Sequence, residues 1–137
     1  MVKRKEIIFI FVETKTKSMI TNFENITEEL TKKELEIIPI LVSGFKRYSK
    51  ENPIKSDVLV KNLNEYFEKN NIKNKMTGAR LRKCCNYIRT NALLPLIATS
   101  NGYYVSSDKE EIRKQIKSLI ERANSIMNCA KGLNKFI

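Results

Sequence analysis

The sequence predicts a mainly α fold, with three helices, a two-stranded β-hairpin and a long amphipathic final helix, preceded by a short strand. Three observations carry this expectation. Apolar residues recur at helical spacing in four separate stretches. The pair Asn101-Gly102 sits between two β-prone runs, a strong hairpin signal. The chain has 137 residues, 42% of them hydrophobic and 30% charged, which is material for one hydrophobic core and not for two enzyme-sized domains.

In order along the chain, Ile7 to Val12 are six apolar, β-prone residues and read as a strand. Lys3-Arg4-Lys5 before them imitates a signal peptide, but the run is short for an h-region and no small-residue cleavage site follows. A membrane span, which needs about 20 apolar residues, is out of reach. Residues 14–30 read as a polar connection. Thr31 with Glu34 fits a capping box, and Leu35, Ile38, Leu41, Val42 and Phe45 form the inner stripe of a first helix through about Lys50. Pro39 inside it lacks a backbone donor, which predicts a kink or a broken turn. Ser56 or Asp57 caps a second helix with Val58, Leu59, Leu63, Tyr66 and Phe67 on its inner side, stopped by Asn70-Asn71. Thr77 caps a third, about Gly78 to Asn91, whose Leu81, Cys84, Cys85 and Ile88 stand at i, i+3, i+4 and i+7. Residues 94–99 and 103–105 flank a type I′ turn. Ser107 with Glu110, or Asp108 with Glu111, opens the last helix, with Ile112, Ile116, Leu119, Ile120, Ala123, Ile126, Met127 and Ala130 on one face and Gly132 as its stop. The division is therefore residues 1–30 as an arm, 31–107 as the helix-and-hairpin domain and 108–137 as a C-terminal helix.

The charge is unevenly placed. Lys and Arg total 26 against 15 Asp and Glu, a net +11. Residues 71–91 hold Lys73, Lys75, Arg80, Arg82, Lys83 and Arg89 with no acid, so +6 falls on the turn and the third helix. An excess of this kind favours a polyanionic partner. The chain has no histidine, which removes imidazole bases, imidazole metal ligands and the triads built on them. With no acid pair, glycine-rich phosphate loop or nucleophile-base arrangement, neither an enzyme nor a cofactor is expected. Cys84, Cys85 and Cys129 lack metal-ligand spacing and point to a reducing cytoplasm. Adjacent Cys84 and Cys85 cannot readily bridge and read as core thiols, and Cys129 as a buried or interfacial one.

Three helices, the third of them basic, followed directly by a hairpin, is the order of a winged helix-turn-helix. The residues also carry a resemblance. Leu81-Arg82-Lys83-Cys84-Cys85-Asn86-Tyr87-Ile88-Arg89-Thr90-Asn91, continued by Pro95 through Val105, resembles the recognition-helix-to-wing segment of small phage and prophage winged-helix proteins. A looser similarity extends to the winged-helix domain of the biotin operon repressor family, whose wing also runs into a Gly-Tyr pair. The likeness covers about residues 31–133 and implies a DNA-binding fold in a small phage-encoded protein, without naming a process. Together with the charge it leads to the expectation of a non-enzymatic DNA-binding protein acting in transcriptional regulation or replication.

On that reading Arg82, Lys83 and Asn86 face the major groove, where Arg and Lys match guanine and Asn matches adenine. Lys73 and Lys75 meet phosphates, as does the backbone at Thr77. Arg80, on the flank, meets phosphate or an acid on the second helix, and Arg89 reaches DNA or pairs with an acid. Ser100 and Asn101 stand at the wing tip, where contact with DNA and an ordinary turn are both consistent with the residues. Of Tyr103 and Tyr104, one packs in the core and the other lies on the DNA side or against a partner. The last helix covers its own core or forms a homodimer through Ile116, Leu119, Ile120, Ala123, Ile126 and Met127. The partners are therefore double-stranded DNA and a second copy, with no membrane. The alternative is an adaptor or inhibitor that uses the same fold to bind a host protein.

Overall fold

The computed structural model describes residues 29–137. The expected strand at Ile7 to Val12 lies outside the described residues. Four helices and one antiparallel hairpin follow in the order α1 (Lys32–Phe45), α2 (Ser56–Lys69), α3 (Gly78–Thr90), β1 (Leu96–Thr99), β2 (Gly102–Val105) and α4 (Lys109–Asn134). The described residues divide into two units, 29–112 and 113–137.

The capping box forms as expected, with Glu34 N–H donating to Thr31 Oγ1 at 3.2 Å and Thr31 N–H donating to Glu34 Oε1 at 2.9 Å. The buried stripe of α1 is Glu34, Ile37, Ile38, Leu41 and Phe45. The expected Leu35 is 42% exposed, because the helix is turned so that Ile37 and Glu34 face inward. α1 ends at Phe45, earlier than expected, and is continuous through Pro39. Pro39 is exposed, on the outer side of the helix.

A tight Ser49–Asn52 turn leads to Ile54, whose N–H donates to the Tyr103 carbonyl at 2.9 Å while Tyr103 N–H donates back at 2.7 Å. A third extended element is thus reduced to one bridge beside β2. The N-cap of α2 is Lys55, with no side-chain cap bond, contrary to the Ser56 or Asp57 expectation, and the inner residues of the helix are Leu59, Leu63 and Phe67. Val58 and Tyr66 are each 45% exposed. Asn71 ends the helix in the left-handed region at φ 53°, with Ile72 N–H returning to the Phe67 carbonyl at 2.8 Å.

α3 is capped by Thr77, and Leu81, Cys84, Cys85 and Ile88 are all buried as its periodicity predicts. It packs on α1, α2 and β1, while β2 lies on α1. The core joins these elements through Ile37, Leu41, Phe45, Leu63, Phe67, Met76 and Leu96.

The hairpin pairs Leu96 with Val105, Ile97 with Tyr104, Ala98 with Tyr103 and Thr99 with Gly102. The connection is therefore Ser100-Asn101, not the expected type I′ turn centred on Asn101-Gly102, because neither Ser100 nor Asn101 has positive φ. Gly102 takes φ +127° instead, and a Cβ there would stand 2.5 Å from the Ile54 carbonyl oxygen. The glycine serves the Ile54 bridge as well as the turn.

α4 is opened by Asp108, whose Oδ1 accepts from Glu110 N–H at 2.9 Å. It runs past Gly132 to Asn134, since a glycine slows but does not bar a helix whose next residues have no other use. In the second unit, Ile116 is half exposed and Leu119, Ile120, Ala123, Ile126 and Met127 are partly covered. Cys129, expected as a buried or interfacial thiol, is exposed in this chain, because its position falls outside the arc of that apolar face. No helix among the described residues is long and apolar enough to cross a membrane.

Candidate nucleic-acid interface

Lys73 and Lys75 lie in the extended connection between α2 and α3, and both side chains are exposed. The connection has a fixed course because Asn64, on α2, clasps its last residue. Asn64 Oδ1 accepts from Met76 N–H at 2.7 Å and Nδ2 donates to the Met76 carbonyl at 3.1 Å, while the Met76 side chain is 1% exposed in the core. A side-chain amide thus satisfies both backbone groups of Met76, much as a strand neighbour would.

At the start of α3, Thr77 Oγ1 accepts from Arg80 N–H at 3.2 Å and Thr77 itself is exposed. Arg82 is exposed, and its guanidinium folds back over the first turn, Nη1 coming within 3.6 Å of where a Cβ on Gly78 would stand. Lys73, Lys75, Thr77 and Arg82 therefore form an open cationic surface around the beginning of α3. Asn86, one turn further on, is partly buried.

Lys83 departs from its expected place. Its side chain is 11% exposed, and its Nζ donates to Glu34 Oε1 at 2.8 Å. Helical phase puts position 83 on the outer arc, but four methylenes let the ammonium reach back to the same carboxylate as Arg80, three residues earlier. Arg80 Nε donates to Glu34 Oε2 at 3.1 Å and Nη1 donates to the Lys75 carbonyl at 2.7 Å. The acid that Arg80 meets is thus on α1, not on the second helix. Burial pushes the Glu34 carboxyl up, but hydrogen bonds from Lys83 and Thr31 and the Lys83 charge outweigh it, so the group is held below the usual carboxylate range. Glu34 was legible as half of a capping box. Its second role had a weaker signal, its register with Ile37, Ile38, Leu41 and Phe45.

Ser100 and Asn101 are exposed at the hairpin tip, where Asn101 N–H donates to Thr99 Oγ1 at 3.1 Å. Thr99 and Ser100 share a cleft of about 230 Å³ with Lys55 and Ser56 at the start of α2. Lys55 is exposed and adds a cation that reading the sequence element by element missed. Arg89 Nε donates to the Leu96 carbonyl at 3.0 Å, tying α3 to β1. That bond serves the fold.

The two tyrosines of the hairpin fall on opposite faces of β2. Tyr103 stacks in tilted contact with Phe45, ring centroids 5.7 Å apart. Tyr104 is the one that packs inside, 3% exposed, with its hydroxyl donating to Glu111 Oε2 at 2.5 Å, while Tyr103 on the other face is only partly buried. Glu111 Oε1 also receives Lys50 Nζ at 2.6 Å, so the first turn of α4 is anchored to the hairpin and to the α1–α2 connection.

Comparison with protein-family models, with curated proteins and with solved structures finds no match in any of the three. The chemistry of the described residues narrows the rest. Burial pushes the Cys84 thiol up to about 11 and the Cys85 thiol up to about 12, so both remain protonated packing groups at neutral pH. No cluster of His, Cys, Asp or Glu among the described residues is placed to hold a metal ion. What the surface offers is spaced ammonium and guanidinium donors on a rigid frame, which suits phosphates and base edges.

Proposed function

We infer that this chain is a winged-helix DNA-binding protein of the phage and prophage kind, without enzymatic activity, acting in transcriptional regulation or replication in the cytoplasm or nucleoid. One observation carries the reading. The Ile54–Tyr103 bridge gives the order helix, extended bridge, helix, helix, hairpin, which is that of a winged helix, and its α2–α3 turn is the segment that bears Lys73 and Lys75.

In this reading the first half of α3 enters the major groove. Arg82 and Asn86 address base edges, while Lys73, Lys75 and Lys55, with Arg80 beside Thr77, take phosphates. Ser100 and Asn101 touch the flanking backbone or minor groove. The apolar face of α4 from Ile116 to Met127 pairs two copies, which suits an operator of inverted half-sites.

The test is a salt titration of binding to duplex DNA by fluorescence anisotropy, preceded by selection of bound sequences from a random pool. Lys73→Gln and Lys75→Gln should each weaken all sequences alike and flatten the slope of log K against log salt by about 0.9. Arg82→Gln or Asn86→Ala should instead lose about 1–3 kcal/mol of discrimination at one base pair. Equal effects from all four substitutions on all sequences would overturn the division of roles. No binding at low salt would overturn the reading, and a host protein retained after nuclease treatment at high salt would put the adaptor in its place.

A further inference from the structure

We propose that Glu34 acts as a built-in counter-ion for α3, withholding Lys83 from phosphate and orienting Arg80, so that α1 sets how many phosphates the protein neutralises. This rests on the DNA-binding reading and specifies how its interface is tuned.

Glu34 is 4% exposed, so its carboxylate depends on protein partners. Three donors converge on it, namely Thr31 N–H and Lys83 Nζ on Oε1 and Arg80 Nε on Oε2. Lys83 has 11% of its side chain exposed. A phosphate cannot draw that ammonium out without leaving a buried carboxylate with Arg80 as its one remaining charge partner, a costly change for such a group. Lys83 therefore contributes to the cation count of α3 and not to its contacts.

Arg80 is held differently. Its Nε is on Glu34 and its Nη1 on the Lys75 carbonyl, yet 34% of its side chain is exposed. A guanidinium has five donors, so one pinned at two points still presents an outer edge. Pinning fixes that edge beside Thr77 and couples it to the turn that bears Lys75. The lysine is a mobile point charge that binds any phosphate, whereas the pinned arginine binds in one geometry. Glu34 thus removes the less selective cation and keeps the more selective one.

The experiment measures salt dependence on one specific and one unrelated duplex for the wild type, Lys83→Gln, Glu34→Gln and the double variant, with folding checked by circular dichroism. Glu34→Gln keeps an acceptor for Thr31 N–H. Lys83→Gln alone should leave the slope unchanged. Glu34→Gln should steepen it by about 0.9, the release of one further counter-ion, and raise affinity for the unrelated duplex more than for the specific one. In the double variant that increment should vanish. If Lys83→Gln alone flattens the slope by about 0.9, Lys83 is an ordinary phosphate contact and the proposal is overturned, even if Glu34→Gln does not fold. A folded Glu34→Gln variant with the wild-type slope overturns it as well. Wild-type protein that ignores both duplexes defeats the DNA-binding reading itself, an outcome distinct from either.

Discussion

A methyl group on residue 102 would have to occupy space already taken by the Ile54 carbonyl, and at φ +127° any L side chain is strained besides. Gly102→Ala should therefore lower unfolding stability by about 3 kcal/mol, with the amides of Ile54 and Tyr103 losing hydrogen-exchange protection first. Gly44 is the control. A Cβ there meets nothing within 4 Å and the site is helical, so Gly44→Ala should gain about 0.5–1 kcal/mol in the same urea titration. A destabilised Gly44→Ala or a neutral Gly102→Ala would contradict these contacts. The Asn101-Gly102 pair was legible as a turn because its chemistry is local. That its glycine makes room for a residue 48 positions earlier was not legible, since the approach of Ile54 is a product of the packed fold.

Among the elements, α2 shows how helix geometry reaches beyond its own residues. Asn64 satisfies both backbone groups of Met76 and so holds the segment carrying Lys73 and Lys75 against the helix. Asn64→Ala would leave two backbone groups to find water, at a cost of about 2 kcal/mol, and should raise the exchange rate of the Met76 amide more than those of the α1 core. Unchanged Met76 protection would mean that the clasp does not hold the turn. Asn64 carries no sequence signal, for an amide beside Leu63 reads as an ordinary solvated residue. The capping box of α1 and the stripe of α3 were legible, the former from Thr31 and Glu34 three residues apart, the latter from Leu81, Cys84, Cys85 and Ile88. The inner face of α1 was harder to phase, because Leu35 and Val42 offered a competing stripe and a buried Glu34 looked like a surface residue.

For the molecule as a whole, packing buries four weak acids, Cys85 beside Tyr103 between α3 and the hairpin, and Cys84 and Tyr104 elsewhere. Burial pushes Cys84 up to about 11 and Cys85 and Tyr103 up to about 12, and burial with the hydrogen bond to Glu111 does the same for Tyr104. Each folded-state pKa is raised, so the stability these groups contribute is complete below their unfolded values and is lost as pH rises through the folded ones. The urea midpoint should hold up to about pH 9 and then fall through about pH 12, with Tyr104→Phe flattening the upper part of the curve. A midpoint insensitive to pH over that range would contradict the burial of these side chains.

Helical periodicity, the caps at Thr31 and Thr77, the presence of a hairpin (though not its Ser100-Asn101 centre) and the concentration of charge in residues 71–91 were readable because each depends on residues near one another along the chain. Which cations remain available was settled elsewhere. Glu34 lies 46 and 49 positions from Arg80 and Lys83, and it meets them only where α1 crosses α3. Helical phase assigns a side chain to an arc, but a flexible ammonium goes to the strongest unmatched charge within its reach, and that charge exists as a neighbour only once the helices have packed.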